Sequence, residues 1–187
     1  MKINLSTLDR ALTSVKKYKN IIVGYSGGID STVLLYGVWL LARKGLLRSN
    51  IKAIHVNHGL NDSCVEWESF CKRICSAYNV DLEVKNLEGF SKRSGLYSEG
   101  FLRAERYREF EAALDQDSVL LLAHHQDDQI ETLLLRLNRG AGMRGLSGIP
   151  ERRSLGEGSI YRPLLNFDRN SISEFAKKEG LQWIEDS

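Results

Sequence analysis

The feature that most constrains the fold is the stretch "NIIVGYSGGIDSTVLL", Asn20 to Leu35, in which a β-branched run meets two glycines and then an apolar segment with helical spacing. Three further Val/Ile/Leu-rich runs, "IKAIHVN", "VDLEVK" and "SVLLLA", follow it, each leading into a longer segment of helical period. Short buried runs that alternate with helices predict an α/β fold, a Rossmann-like parallel sheet of about five strands with helices on both faces.

In the first crossover Ile29, Val33, Tyr36, Gly37 and Leu40 share a face, and Leu34, Val38 and Leu41 fill much of the rest, so this helix is buried. Leu5, Leu8, Leu12 and Val15 mark an amphipathic helix before the sheet, with Asn4 or Ser6 as its cap. After the fourth strand Ile130, Leu133, Leu134 and Leu137 fall in step. A glycine-rich, basic stretch follows as far as "RPLL", Arg162 to Leu165, too long to be a simple connector. A last helix, about Arg169 to Lys178, stops at Gly180. There are no internal repeats, and residues 1–187 read as one domain.

Composition narrows the class. At 187 residues, 42% apolar and 27% charged, the chain is long enough to bury a core. No apolar run approaches the roughly 20 residues that span a bilayer. The start lacks the apolar segment of a signal peptide, so a cytoplasmic protein is expected. Cys64, Cys71 and Cys75 are an odd number with no Cys-x-x-Cys spacing, which points to helix thiols in a reducing compartment. A net charge of +2 does not announce a nucleic-acid binder, so local arginine clusters must make that case.

Ser26 to Ser31 lies where open parallel sheets bind ligands, beyond the carboxyl end of a strand and at a helix start. Unpaired N–H groups and the helix dipole attract phosphate there, Gly27 and Gly28 permit close approach, and Ser26 and Ser31 add hydroxyl donors. The Gly-Lys-Ser/Thr of a Walker loop and the third glycine of the dinucleotide fingerprint are both absent. Asp30 would repel phosphate unless a cation bridges the two, which implies magnesium.

"SGGIDS" resembles the Ser-Gly-Gly-x-Asp-Ser signature of the PP-loop ATP pyrophosphatases, whose fold is adenine nucleotide alpha hydrolase-like. With "HVNHGL", "SEGFLRAERY", "AHHQDDQIETLLLRLNRGAGMRGLSGIP" and "RPLL" in this order, the chain is similar to the tRNA(Ile)-lysidine synthases from Asn20 onward. The resemblance implies an ATP- and magnesium-dependent ligase. It would adenylate the C2 oxygen of the wobble cytidine in isoleucine tRNA with a CAU anticodon, after which free L-lysine displaces AMP. It also implies that residues 1–187 are a catalytic domain truncated before C-terminal tRNA-binding domains, and it leaves a homodimer open.

The residues agree with that chemistry. Asp128 and Glu131 lie one helical turn apart on one face, and Asp127 pairs similarly with Glu131. By motif match Asp30, Asp128 and Glu131 are the catalytic candidates, Asp30 and Asp128 the magnesium candidates, and Asp127 a secondary one. A carboxylate in a first helical turn also serves the helix dipole. Ser26, Gly27, Gly28, Ile29, Asp30 and Ser31, with the backbone of Val56 and Asn57 at the adenine, His58 beside it and His124 at the phosphates, form the expected ATP site. A zinc role for His124 and His125 is disfavoured, because adjacent side chains diverge; packing in the core is the alternative. Arg103 and Arg106 share a helix face, as a substrate contact or a solvated surface, and Arg139, Arg144, Arg152 and Arg153 suit RNA phosphates. The rivals are a thiolating tRNA enzyme, whose cluster cysteines are missing, and a non-catalytic adenine-nucleotide module.

Overall fold

Ile21 and Val23 point to one side of the first strand and Ile22 to the other, and all three are buried, so this strand is covered on both faces. The computed structural model describes residues 2–57, 64–87, 99–140 and 147–185. Its sheet has six strands in the order β3-β2-β1-β4-β6-β5. They are β1 (Asn20–Gly24), β2 (Asn50–Asn57), β3 (Asp81–Asn86), β4 (Ser118–Leu121), β5 (Arg152–Leu155) and β6 (Gly158–Tyr161). All neighbours are parallel except the edge pair β5 and β6.

Alternation along β1 and β4 divides the core. Ile21, Val23, Val119 and Leu121 pack with α1 (Leu5–Ala11), α2 (Ile29–Arg43), α3 (Cys64–Ala77) and α6 (Arg169–Lys178). Ile22, Leu120, Leu122 and Ile160 pack on the opposite face with Phe110 and Leu114, at the end of α4 (Glu99–Ala112). α2 is buried over most of its surface, and Gly37 admits Leu8 of α1 to within 3.3 Å of where a Cβ would stand. Asn4 caps α1, accepting from the Thr7 N–H at 3.0 Å, and Asp168 caps α6 through the Ser171 N–H at 2.7 Å. Cys71 and Cys75 are buried free thiols on α3.

One expectation is corrected. The basic stretch before "RPLL" contains a hairpin, β5–β6, turned by Gly156 and Glu157, with Gly156 at φ +53°. β6 then adds to β4 as a further parallel strand. Beyond β4, α5 (Gln126–Asn138) has the expected helical spacing but no buried residue, and Ile130, Leu134 and Leu137 are half exposed or more. No helix among the described residues is long and apolar enough to cross a membrane.

Candidate active site

β1 has β2 on one side and β4 on the other, so the segments leaving β1 and β4 diverge and open a crevice at their carboxyl ends. Tyr25 to Gly28 forms one wall and Leu122 to His125 the other. The buried His55 braces the first wall by donating from Nδ1 to the Tyr25 carbonyl at 2.9 Å.

The two glycines of the loop differ. Gly27 turns at φ +89°, and a Cβ there would lie 3.1 Å from Ile184 Cδ1 and 3.2 Å from Cys71 Sγ. Its carbonyl accepts the Ile184 N–H at 2.9 Å, which ties the segment after α6 to the loop. Gly28 caps α2 at φ −70°, and a Cβ would meet only Ser26 Oγ, at 3.5 Å. Gly28 is thus the open approach, while Gly27 serves the turn and its packing. Ser31 donates to the Gly28 carbonyl at 3.0 Å and accepts from Ser26 Oγ at 3.0 Å, so the hydroxyls brace the loop.

His125, 4% exposed, stands among three carboxylates. Its Nε2 is 3.6 Å from Asp30 Oδ1, and its Nδ1 is 3.6 Å from Asp127 Oδ2 and 3.5 Å from Asp128 Oδ2. Asp128 accepts the His125 backbone N–H at 2.7 Å, closing the start of α5. Asp127 accepts the Arg169 N–H at 2.8 Å, linking α5 to α6. Burial holds the Asp30 carboxyl above its ordinary range, and the Asp128 charge adds to this, although His125 and Arg169 oppose it. Asp30 Oδ1 is buried without a hydrogen-bond partner. A desolvated carboxylate oxygen that accepts no hydrogen bond fits a magnesium ion shared with phosphate, a cation that needs only one or two protein carboxylates.

A cavity of about 270 Å³ runs from the loop into the sheet. Ser26, Gly28, Asp30 and Ser31 line its polar end, with Ile54, Val56, Phe110 and Leu122 making an apolar end of the kind a flat base fills. A larger cavity of about 730 Å³ adjoins it, lined by Arg103, Arg136, Arg153, Arg162 and Glu131 among others. Tyr107, His124 and Asp128 line both. Arg103 and Arg153 lie 5.4 and 4.8 Å from the Tyr107 ring centroid. Burial, then the Arg162 charge, pushes His124 down to about 4.

The sequence candidates therefore separate. Asp30, Asp128, Glu131, Ser26, Gly28, Ser31, Val56 and His124 line the two cavities, with Arg106 in the smaller and Arg103 in the larger. Ile29 faces a third cavity, of about 520 Å³, on the far side of the loop beside Arg169 and Lys177. The Asn57 side chain donates to Glu68 at 3.4 Å, and its backbone ends β2 beside Val56. Asp127 serves the α5–α6 junction, Arg139 ends α5 at the surface, and Arg152 reaches the Tyr18 hydroxyl. His58 and Arg144 fall outside the described residues. Sequence reasoning assigned no role to Arg162, Tyr107 or Arg169. Arg162 was within reach, since it opens the "RPLL" motif.

The family model of the ATP-binding PP-loop domain matches residues 2–187. The chain belongs to the PP-loop family. Among curated relatives, this PP-loop domain is 38% identical over 179 residues to the tRNA(Ile)-lysidine synthase of Coxiella burnetii, covering 96% of this chain and 39% of that protein. It is 44% identical over 164 residues to the enzyme of that name from Pseudomonas fluorescens, covering 88% and 36% respectively. It thus spans about two-fifths of the length of these relatives. Among solved structures, the U34-tRNA thiolase NcsA of Methanococcus maripaludis shares the PP-loop fold with a TM-score of 0.74 and 18% identity, over 96% of this chain and 64% of that one.

Proposed function

We propose that this chain carries the ATP-dependent step of a tRNA(Ile)-lysidine synthase. The observation that carries the reading is the shared wall: Tyr107, His124 and Asp128 border both the cavity at the phosphate loop and the arginine-lined cavity beside it. An adenylate formed in the first is then one side chain away from an acceptor held in the second. The similarity to relatives of that name supports the particular acceptor.

In this reading ATP lies with its adenine between Ile54, Val56 and Phe110 and its β- and γ-phosphates at Gly28 and the start of α2. The C2 oxygen of the wobble cytidine, in a tRNA with a CAU anticodon, attacks the α-phosphorus, and pyrophosphate leaves. The amino group of L-lysine, once its ammonium proton is lost, then attacks C2, the nitrogen gives up a second proton, and AMP leaves with the oxygen. Asp128 and Glu131 place negative charge beside the acceptor for the lysine ammonium, and Arg103 and Arg153 meet the tRNA. Magnesium, held by Asp30 and Asp128, would neutralise phosphate charge.

Iron–sulfur thiolation fits less well. Cys71 and Cys75 are buried on α3, with both thiols pushed up by burial to about 12, far from the thiolates a cluster needs.

Residues 1–187 form the catalytic domain, and C-terminal tRNA-binding domains complete the grip on tRNA. The test supplies ATP, magnesium, labelled L-lysine and isoleucine tRNA to the full-length protein and follows both pyrophosphate and label. Expected are tRNA-dependent pyrophosphate release and label in the tRNA, with ATP binding preserved in residues 1–187 alone. Release that ignores tRNA, or label that never enters it, refutes the reading.

A further inference from the structure

Arg162 is a charged side chain only 3% exposed, and its contacts define the state of its neighbour. Its Nε donates to His124 Nδ1 at 3.2 Å and its Nη1 to the Pro150 carbonyl at 2.7 Å, with the Tyr107 hydroxyl as a further partner. The backbone is held as well, the Arg162 N–H donating to the Glu151 carbonyl at 2.9 Å beside the β5–β6 hairpin.

A guanidinium has donors only and does not deprotonate in a protein. The nitrogen that receives its hydrogen bond, His124 Nδ1, must therefore present a lone pair. A neutral imidazole has one proton, so here it sits on Nε2. Arg103 and Arg106, whose charges also bear on this imidazole, add to the preference for the neutral ring, and Asp128 opposes it. His124 lines both cavities, where the α-phosphate of a nucleotide bound at the loop would meet its acceptor.

We propose that Arg162 is a positioning residue that locks His124 as a neutral Nε2–H donor to a nonbridging α-phosphate oxygen of the bound nucleotide. A neutral donor of fixed tautomer follows the growing negative charge on that oxygen without giving up its proton, and it needs no reorganisation when the bond to pyrophosphate breaks. The proposal rests on the adenylation reading for its ligand, but not for its tautomer.

The test uses the protein with ¹⁵N-labelled histidine, the His124 signals being assigned with His124→Gln. Long-range ¹H–¹⁵N spectra near neutral pH should show the Nε2–H tautomer in the free wild type, and the Nε2 signal should move when ATP is added. Arg162→Met should admit the Nδ1–H tautomer and slow tRNA-dependent pyrophosphate release at least about tenfold, with the KM for ATP nearly unchanged. Arg162→Gln, whose amide can donate to Nδ1, should restore part of both and is the variant to read if the Met side chain unfolds the protein. An Nδ1–H tautomer in the wild type overturns the proposal. So does a rate loss in either variant with the His124 spectrum unaltered, which would make Arg162 structural. Failure of the wild type to bind ATP would overturn the assigned ligand together with the functional reading, whereas a correct tautomer with no ATP-induced shift would overturn the phosphate contact alone.

Discussion

At Asp30 the needs of folding and of chemistry oppose each other. Its carboxyl is raised from 3.8, chiefly by burial, so the folded chain holds this proton more tightly than the unfolded chain does. Stability is therefore lost as pH rises from the ordinary carboxylate value through the raised one, and the loss is constant above it. Asp30→Asn removes that loss. Its melting temperature should exceed that of the wild type near neutral pH, and the two should converge in acid, a comparison made by thermal denaturation across the pH range. Turnover of ATP should fall at least about a hundredfold, equivalent to about 2.7 kcal/mol of transition-state stabilisation. A melting difference that does not vary with pH would show that the substitution acts through something other than the charge. These two outcomes together would mark Asp30 as a residue kept for its ligand at the expense of the fold.

At the scale of elements, the loop between β1 and α2 assigns its adjacent glycines different work. Gly27→Ala forces an L residue to φ +89° against Ile184 and Cys71. It should cost about 1–3 kcal/mol, a fall of roughly 3–10 °C in melting temperature. Gly28→Ala meets no such barrier at φ −70°. It should melt within about 2 °C of the wild type, yet lose ATP affinity by calorimetry, because its Cβ occupies the phosphate approach. Equal effects of the two substitutions on stability would contradict this division. The sequence shows both glycines and the loop but not which one turns, because φ is set by what Gly27 packs against from distant α3 and the segment after α6. The same limit explains the other differences. β1 and β4 were legible as short continuous apolar runs, "IIV" and "LLL", bounded by turn residues, and β2 and β3 as short runs with Val and Ile that each lead into a helical segment. β5 and β6 are short, and Arg152, Arg153 and Ser154 are exposed, so the hydrophobic pattern that marks a strand is missing. In α5 the spacing of Ile130, Leu134 and Leu137 revealed the helix, but periodicity cannot say whether a neighbour covers the stripe. Asp30, Asp128 and His124 were found because motif spacing places them. Arg162 stands in the "RPLL" motif, but its role and that of Tyr107 were not legible, because their partners come from other elements and only the fold brings them together.

Over the whole molecule, charge is organised around the two cavities rather than in the net charge of +2. The smaller cavity joins an apolar pocket to a helix start, while the larger presents Arg103 and Arg153 around the Tyr107 ring. If these guanidiniums meet tRNA phosphates, they act on RNA affinity and not on the nucleotide. Each contact to a single-stranded phosphate adds about 0.7 to the slope of log K against log salt. The double substitution Arg103→Ala with Arg153→Ala should therefore reduce the magnitude of that slope by about 1.4, measured by titrating labelled isoleucine tRNA at several salt concentrations. ATP affinity should stay within about twofold of the wild type, a change worth only about 0.4 kcal/mol. A protein that loses ATP binding to the same degree would place both arginines on the nucleotide. One whose salt slope is unchanged would move the RNA path away from this cavity. Among the described residues only Tyr107, His124 and Asp128 are common to the two cavities, and neither substituted arginine lines the smaller one, so the double substitution separates their roles.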